Sequence, residues 1–283
     1  MEKKMEYMSK KDKQKIMEKG IKDVMQSEKQ KMYEHFSSVA TTYGGMRTTD
    51  EEHIIYIAET LKHMDNIVAA DIGCGDGRYD VLLFKHLNNL HLTCVDINDS
   101  MLEQTSLNLS KEGITNYQTI EAEAVILPLE ESSMDCLFTF NTMNHFNIPK
   151  FLHEAARILK SGGLLLIYTR TRSQNARNIW GRYFPKFCEK ENRLPELDEI
   201  KNMLDSSLHL ERVKNFKFKR NDSLQRLLKK ARDRFYSVFS LYEEKELDEC
   251  IRKFEQNVID NFEDINNLEW IDEYSLLMLK RDS

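Results

Sequence analysis

The sequence predicts an α/β fold: a mostly parallel sheet with helices on both faces. Three observations predict it. Short apolar runs alternate with stretches of helical spacing through the middle of the chain. A glycine-rich turn, Asp71-Ile72-Gly73-Cys74-Gly75-Asp76-Gly77, follows the first of those runs and opens a helix. With 283 residues, 41% of them hydrophobic, the chain can fill the core of one large α/β domain with additions.

The elements follow in order. Residues 1–35 are highly charged, with Ile16, Ile21, Val24 and Met25 spaced as in a weakly amphipathic helix. Gly20 and the sparse apolar content make that helix marginal without a surface to dock on. Residues 36–49 read as a loop. Thr48 with Glu51, and Thr49 with Glu52, form candidate capping boxes. They would start a helix whose apolar positions include Ile54, Ile57, Ala58 and Leu61. Ile67–Ile72 is the first predicted strand and Tyr79–Leu90 the next helix. Leu92–Val95 is the second strand. Asp99 or Ser100 caps a helix to Lys111, ended by Gly113. Tyr117–Glu121 and Cys136–Phe140 are the third and fourth strands. Pro149 opens a helix buried through Phe151, Leu152, Ala155, Ala156 and Leu159. Gly162–Gly163 close it, and Leu164–Tyr168 is the fifth strand. Helical spacing returns near Leu197–Leu204 and across 223–263, and 209–218 and 268–279 read as two further strands. The predicted division is 1–49 as an N-terminal helical cap segment, 50–170 as the ligand-binding core, and 171–283 as lid helices, a helical insertion and the last two strands.

Composition excludes several classes. The formal net charge of −6 gives no global attraction to nucleic acid or to an anionic membrane. The five cysteines (Cys74, Cys94, Cys136, Cys188, Cys250) form no CxxC pair, so reduced thiols in a cytoplasmic protein are expected and no metal site is predicted. The lysine-rich start lacks the apolar region of a signal peptide. No apolar run reaches the roughly 18 residues of a membrane span. Residues 212–234 run against the average: ten Lys and Arg stand against Asp222 and Asp233, a local net charge of +8. A solvated helical face is the plain account of that segment, and a patch for an anionic substrate or RNA is the functional one.

The glycine loop carries the first chemical signal. Glycine permits a sharp turn and close approach of a ligand, and the helix N-terminus that follows presents free N–H groups. The spacing is G-x-G-x-G, whereas a nicotinamide or flavin site favours G-x-G-x-x-G. Asp96 ends the second strand, where a carboxylate can accept hydrogen bonds from ribose hydroxyls. Ile97 and Met101 are placed to sandwich a purine ring. Glu123-Ala124-Val125-Ile126-Leu127-Pro128 follows the third strand, where an acid can accept from an adenine amino group and a backbone N–H can meet a ring nitrogen.

In these segments, together with Met134 to Phe138 (M-D-C-L-F) and Arg157 to Gly163 (R-I-L-K-S-G-G), the sequence resembles the class I S-adenosylmethionine (SAM)-dependent methyltransferases. The resemblance covers roughly residues 36–170 and rests on the order and spacing of the motifs. It implies a Rossmann-like sheet of seven strands and SAM as cofactor, with S-adenosylhomocysteine (SAH) as product. By position it implies that Asp71 and the Gly73, Cys74, Gly75 and Gly77 backbone face the methionine end of SAM. Asp96 would hold the ribose, Glu123 and Ala124 the adenine, and Asn141 would line the floor near the methionine moiety. The family often has Asp where Glu123 stands. Phe36–Arg47 looks like the segment that folds over SAM in small-molecule members, with Tyr43 and Arg47 as its candidate contacts. Arg47 could pair with a carboxylate of SAM or of substrate.

Methyl transfer from a sulfonium needs alignment, exclusion of water and sometimes a base. His145, just after the fourth strand, is the candidate base. Asn141-Thr142-Met143-Asn144 lacks the N/D-P-P-aromatic motif of amino-directed enzymes, and no cysteine follows the fourth or fifth strand to attack a cytosine. Trp180, Tyr183, Phe184 and Phe187 cluster after the fifth strand, where the family often builds a lid. The expected function is methyl transfer to a small molecule. An RNA or protein methyltransferase using residues 212–234, or a SAM-fold protein that binds without methylating, are the alternatives.

Overall fold

The computed structural model describes residues 30–44 and 47–282. Most of the helix expected over 1–35 lies outside those residues, as does Gly45 of the expected flexible point. Residues 30–44 are helical (α1). The core then alternates: α2 Glu52–Leu61, β1 Ile67–Ile72, α3 Arg78–His86, β2 Leu90–Asp96, α4 Asp99–Lys111, β3 Tyr117–Glu121, β4 Met134–Phe140, α5 Ile148–Ile158 and β5 Leu159–Thr169. The remainder holds the short helices α6 Arg172–Arg177, α7 Ile179–Tyr183, α8 Phe187–Lys190 and α9 Leu197–Asn202. β6 Leu208–Asp222, α10 Leu224–Arg232, α11 Glu244–Asn261 and β7 Leu268–Arg281 complete the chain.

The seven strands lie in the order β3-β2-β1-β4-β5-β7-β6. β1 runs parallel to β2 and β4, β2 to β3, and β4 to β5, while β7 is antiparallel to both β5 and β6. The winding direction reverses between β1 and β4. Their carboxyl ends therefore flank the crevice in which open α/β sheets bind ligands.

Period-two alternation divides each central strand between two cores. Ile67 and Ala69 of β1, with Cys136, Phe138 and Phe140 of β4, face a cluster that includes Ile54 and Ile57 of α2 and Leu83 of α3. Ala70, Ile72 and Leu137 face the other side, against Phe151, Leu152 and Ala155 of α5. Burial on both faces explains why these strands read as continuous apolar runs. Fully burying a side chain such as Phe138 contributes roughly 1.5–3 kcal/mol.

Four local expectations are corrected. Residues 36–44 are helical rather than a loop, because α1 docks: Asn98 Nδ2 donates to Tyr33 O (3.1 Å) and to Ser37 Oγ (2.8 Å). Neither Thr48 nor Thr49 caps α2; its N-cap is Glu51, whose carboxylate is taken by Lys85 Nζ at 2.7 Å. The cap of α4 is Asn98, whose side chain accepts from Met101 N at 3.1 Å, rather than Asp99 or Ser100. Helix α5 ends at Ile158, before the glycines. Met134 pairs with Leu159 and Cys136 with Leu164, so the residues between bulge out, with Gly162 at φ +75°.

The aromatic cluster after β5 builds a third core. Trp180, Phe184 and Phe187 pack against Phe239 and against Cys250 and Phe254 of α11. Trp180 stacks on Phe254 with ring centroids 5.1 Å apart.

Candidate active site

The loop between β1 and α3 is shaped by three left-handed glycines, with φ +77° at Gly73, +60° at Gly75 and +73° at Gly77. Gly73 N and Cys74 N both donate to Val95 O, at 2.7 and 3.0 Å, which ties the loop to β2. A Cβ on Gly73 would lie 2.5 Å from Thr142 Cγ2, and one on Gly77 would lie 3.1 Å from Thr105 Cα. A Cβ on Gly75 would meet nothing within 4 Å. The outer two glycines are thus required by packing, and the middle one faces open space at the mouth of the crevice.

Asp96 ends β2 beside it. Its Oδ2 accepts from Gly75 N at 2.9 Å and its Oδ1 from Asn98 N at 3.0 Å. Burial raises the Asp96 carboxyl above its ordinary range, against these backbone donors. Ile97 next to it is 46% exposed, whereas Met101 is 2% exposed, so only Ile97 offers an open apolar surface there. Glu123 is exposed and Ala124 buried in a turn closed by Ile126 N donating to Glu123 O at 3.0 Å. Ile126 itself is 75% exposed.

Asn141 follows β4 in the left-handed region, φ +56°. Its backbone N donates to Tyr168 O at 2.7 Å and its Nδ2 to Tyr79 OH at 3.1 Å, which fixes the side chain at the crevice. Above it stand residues from α1. Phe36 meets the His145 ring edge-on at 5.4 Å, and Tyr43 meets Phe36 at 6.2 Å. The Arg47 and Arg78 guanidinium carbons lie 4.7 and 5.1 Å from the Tyr43 ring centroid. Residues far apart in sequence therefore enclose the glycine loop.

His145 lies in a single 3₁₀ turn, Met143–His145. Arg193 Nη1 is 3.3 Å from its Nδ1. A guanidinium can only donate, so Nδ1 accepts and the neutral ring carries its proton on Nε2. Burial first, then the charges of Arg193, His35 and Arg47, push its pKa down to about 3. His35 is pushed down to about 4 by burial, then by Arg47 and Arg234.

Sequence reasoning missed two residues here, Asp76 and Arg78. Asp76 Oδ2, Arg78 Nε and Arg78 Nη1 are buried without a hydrogen-bond partner, and so is Asp71 Oδ1. Burial, then the charge of Asp80 on α3, drives Asp71 well above the usual carboxylate range. The signal for Arg78 was available: a cation in the first turn of a helix opposes the helix dipole, so its presence there needs a reason.

The sequence pattern of the methyltransferase domain family matches residues 70–167, the segment that carries the loop, Asp96, Asn141 and His145. Residues 70–167 are thus similar to a methyltransferase domain. It is 32% identical over 126 residues to the ubiquinone/menaquinone biosynthesis C-methyltransferase UbiE of Campylobacter jejuni, covering 42% of this chain and 49% of that protein. It is 24% identical over 166 residues to the tRNA (carboxymethyluridine(34)-5-O)-methyltransferase ALKBH8 of Mus musculus, covering 57% of this chain and 23% of that one. The chain thus spans about half, or less, of these two relatives. A Bacillus halodurans protein assigned as a methyltransferase shares the fold with a TM-score of 0.61 and 16% identity, covering 83% of this chain and 100% of the other. Among the described residues no helix is long and apolar enough to cross a membrane.

Proposed function

We propose that the protein transfers the methyl group of SAM to a small-molecule acceptor by in-line displacement. The observation that carries this reading is the enclosed glycine loop. Buried polar atoms of Asp71, Asp76 and Arg78 have no hydrogen-bond partner among the described residues, and Gly75 leaves room for a ligand. These groups fit the cofactor. The Arg78 guanidinium suits its carboxylate, Asp71 its ammonium end, and the remaining lone pairs of Asp96 the ribose hydroxyls. Ile97 and the Glu123–Ala124 turn suit the adenine.

SAM supplies an activated methyl group when bound. The protein's task is alignment and dryness, and alignment can contribute roughly 7–11 kcal/mol to lowering the barrier. Asn141 is held rigid by Tyr168 and Tyr79 at the crevice floor, and α1 covers the site through Phe36 and Tyr43. His145 is a poor base, since its pKa is pushed down to about 3 and Arg193 occupies Nδ1. Its Nε2–H suits a hydrogen bond to the acceptor instead, which makes it a positioning residue.

The basic segment 212–234 gives little support to an RNA reading. Arg220 pairs with Asp50, Lys230 with Asp222 at 2.7 Å, Arg226 with Asp222 at 3.1 Å and Lys217 with Glu273 at 3.4 Å. The test is incubation of the full chain with methyl-labelled SAM and either a metabolite extract or total RNA. Label on a low-mass compound supports the proposal. Label on RNA alone, or binding of SAM without transfer to anything, overturns it.

A further inference from the structure

One cluster of charge lies beyond the glycine loop and is not absorbed by cofactor binding. Arg47 follows α1, and its guanidinium carbon lies 4.7, 4.5 and 4.8 Å from the ring centroids of Tyr43, Phe235 and Tyr236. Aromatic faces pack against the guanidinium and leave its N–H edge for an acceptor. That edge is unused: Nε is buried with no hydrogen-bond partner, and Arg47 forms no ion pair among the described residues.

Arg170 stands nearby at the end of β5, two residues beyond the Tyr168 carbonyl that fixes Asn141. Its Nη2 contacts Tyr274 OH, and its nearest carboxylate, Asp272, is 3.8 Å away. Asp272 is shared with Arg220, at 3.3 Å, while Asp50 is bound by both ends of the Arg220 guanidinium. Tyr236 sits among these charges. Burial and Asp272 raise its phenol, and Arg170, Arg47 and Arg220 oppose them. Arg234 spends Nη1 on the carbonyls of Phe239 and Tyr242. Arg220 is thus compensated, Arg170 only partly, and Arg47 and Arg234 not at all by carboxylates. Two nearby histidines, His35 and His145, are held neutral by burial first and by neighbouring arginine charge second, from Arg47 and Arg234 on His35 and from Arg193 and Arg47 on His145. The result is a cluster of positive charge packed among aromatic rings.

A sulfonium is itself a cation. Bringing it beside uncompensated guanidinium groups is unfavourable unless an anion enters as well. The cofactor's own carboxylate would be received by Arg78, whose neighbours are Asp76 and Tyr79 of the loop and first turn of α3. The other neighbours of Arg47, Phe235 and Tyr236, belong to the C-terminal unit instead.

Resting on the transfer reading above, we propose that the methyl acceptor is an organic anion whose carboxylate or phosphate is received by Arg47 and Arg170. Its apolar body lies against Phe235 and Tyr236. Arg47 and Arg170 are then the residues that set acceptor specificity.

The experiment is calorimetric titration of the full chain, saturated with SAH, with benzoate, phenyl phosphate and the neutral benzamide at one ionic strength. At least one anion binds, and benzamide binds at least about tenfold more weakly; the stronger anion identifies carboxylate or phosphate as the matched group. Arg47→Gln and Arg170→Gln each weaken anion binding about tenfold to a hundredfold, the loss expected for a hydrogen bond to a charged group. SAH affinity stays within about threefold in both variants. Arg47 breaks no ion pair when replaced, so Arg47→Gln carries the test if Arg170→Gln fails to fold. Equal binding of benzamide and benzoate, or no binding of either anion, overturns the proposal. So does an Arg47→Gln variant that loses SAH and keeps the anion, since Arg47 would then serve the cofactor. Failure of the unsubstituted protein to bind SAH strikes the transfer reading itself and is seen before any probe is added.

Discussion

Around the glycine loop, Asp71, Asp76, Arg78 and Asp80 all hold buried polar atoms without partners. The helical unit built by α7, α8, α10 and α11 is equally buried but differently finished. Asp222 gathers Arg226 and Lys230, Glu246 gathers Lys186 and Lys190 at 2.8 Å each, and Asn257 Nδ2 donates to Tyr183 O at 2.7 Å. An unpartnered buried polar group costs about 1–3 kcal/mol. The loop carries several in one place, the second region satisfies its own. The first region is organised for a ligand, the second for packing.

Substitutions in the two regions should therefore fail in opposite ways. The largest effect is expected at Trp180, 3% exposed and surrounded by Phe184, Phe187, Phe239 and Phe254. Trp180→Ala should cost about 3–5 kcal/mol of stability in denaturant melts, with SAH affinity of the folded fraction unchanged. A normal melt would show that the cluster is loosely packed.

Gly75→Val should do the reverse. It has room for a side chain in the folded protein, so stability falls only by the roughly 1–2 kcal/mol of left-handed strain. SAH affinity should fall more than about a hundredfold, because the added atoms fill the approach path. Retained SAH binding by calorimetry would remove the loop from the site. Asp96→Ala comes next. Losing a charged acceptor should weaken SAH about tenfold to a hundredfold, and an unchanged dissociation constant would take Asp96 out of the site.

The smallest effect sharpens the comparison with pH. His53 is fully buried, stacked on Tyr168 at 3.7 Å, with both ring nitrogens unpartnered. Burial, then Arg78, pushes its pKa from 6.5 down to about 3. Between those values the unfolded chain binds the proton and the folded chain does not, so stability falls as pH drops through that window. The slope is at most about 1.4 kcal/mol per pH unit for each such histidine. His35 and His145 act in the same sense, while Asp80, raised to about 6 mainly by burial, acts in the opposite one. His53→Phe should raise stability at pH 7 by about 1 kcal/mol and flatten the loss between pH 6 and pH 4. An unchanged slope in melts across that range would show that the histidine is protonated in the fold.

Much of the first region was legible in the sequence. β1 was read to its ends because a strand buried on both faces appears as a bounded apolar run, and β3, a largely exposed edge strand, was read to its ends as well. Asp96 and the loop glycines fell where strand ends and turns require them. The bounds of β2 and β5 were read short, since His91, Asp96 and the bulged residues before Leu164 break the apolar run. Arg78 and Arg170 escaped notice because each looks like an ordinary charged residue until its surroundings are known.

Local pattern along the chain carried the alternation of strands and helices, the glycine loop, the carboxylate at the end of β2 and the family resemblance. Those depend on local period, turn chemistry and spacing, which act between near neighbours in the chain. Only the tertiary structure decided that residues 36–44 are helical and that Tyr43 and Arg47 meet Arg78, Phe235 and Tyr236. It alone leaves Arg47 without a carboxylate among the described residues while binding Arg220 to Asp50, 170 residues away in the chain. Pairing of charges and docking of a marginal helix are set by long-range contacts. Their cost in desolvation and ordering depends on what lies opposite, and no local pattern records that.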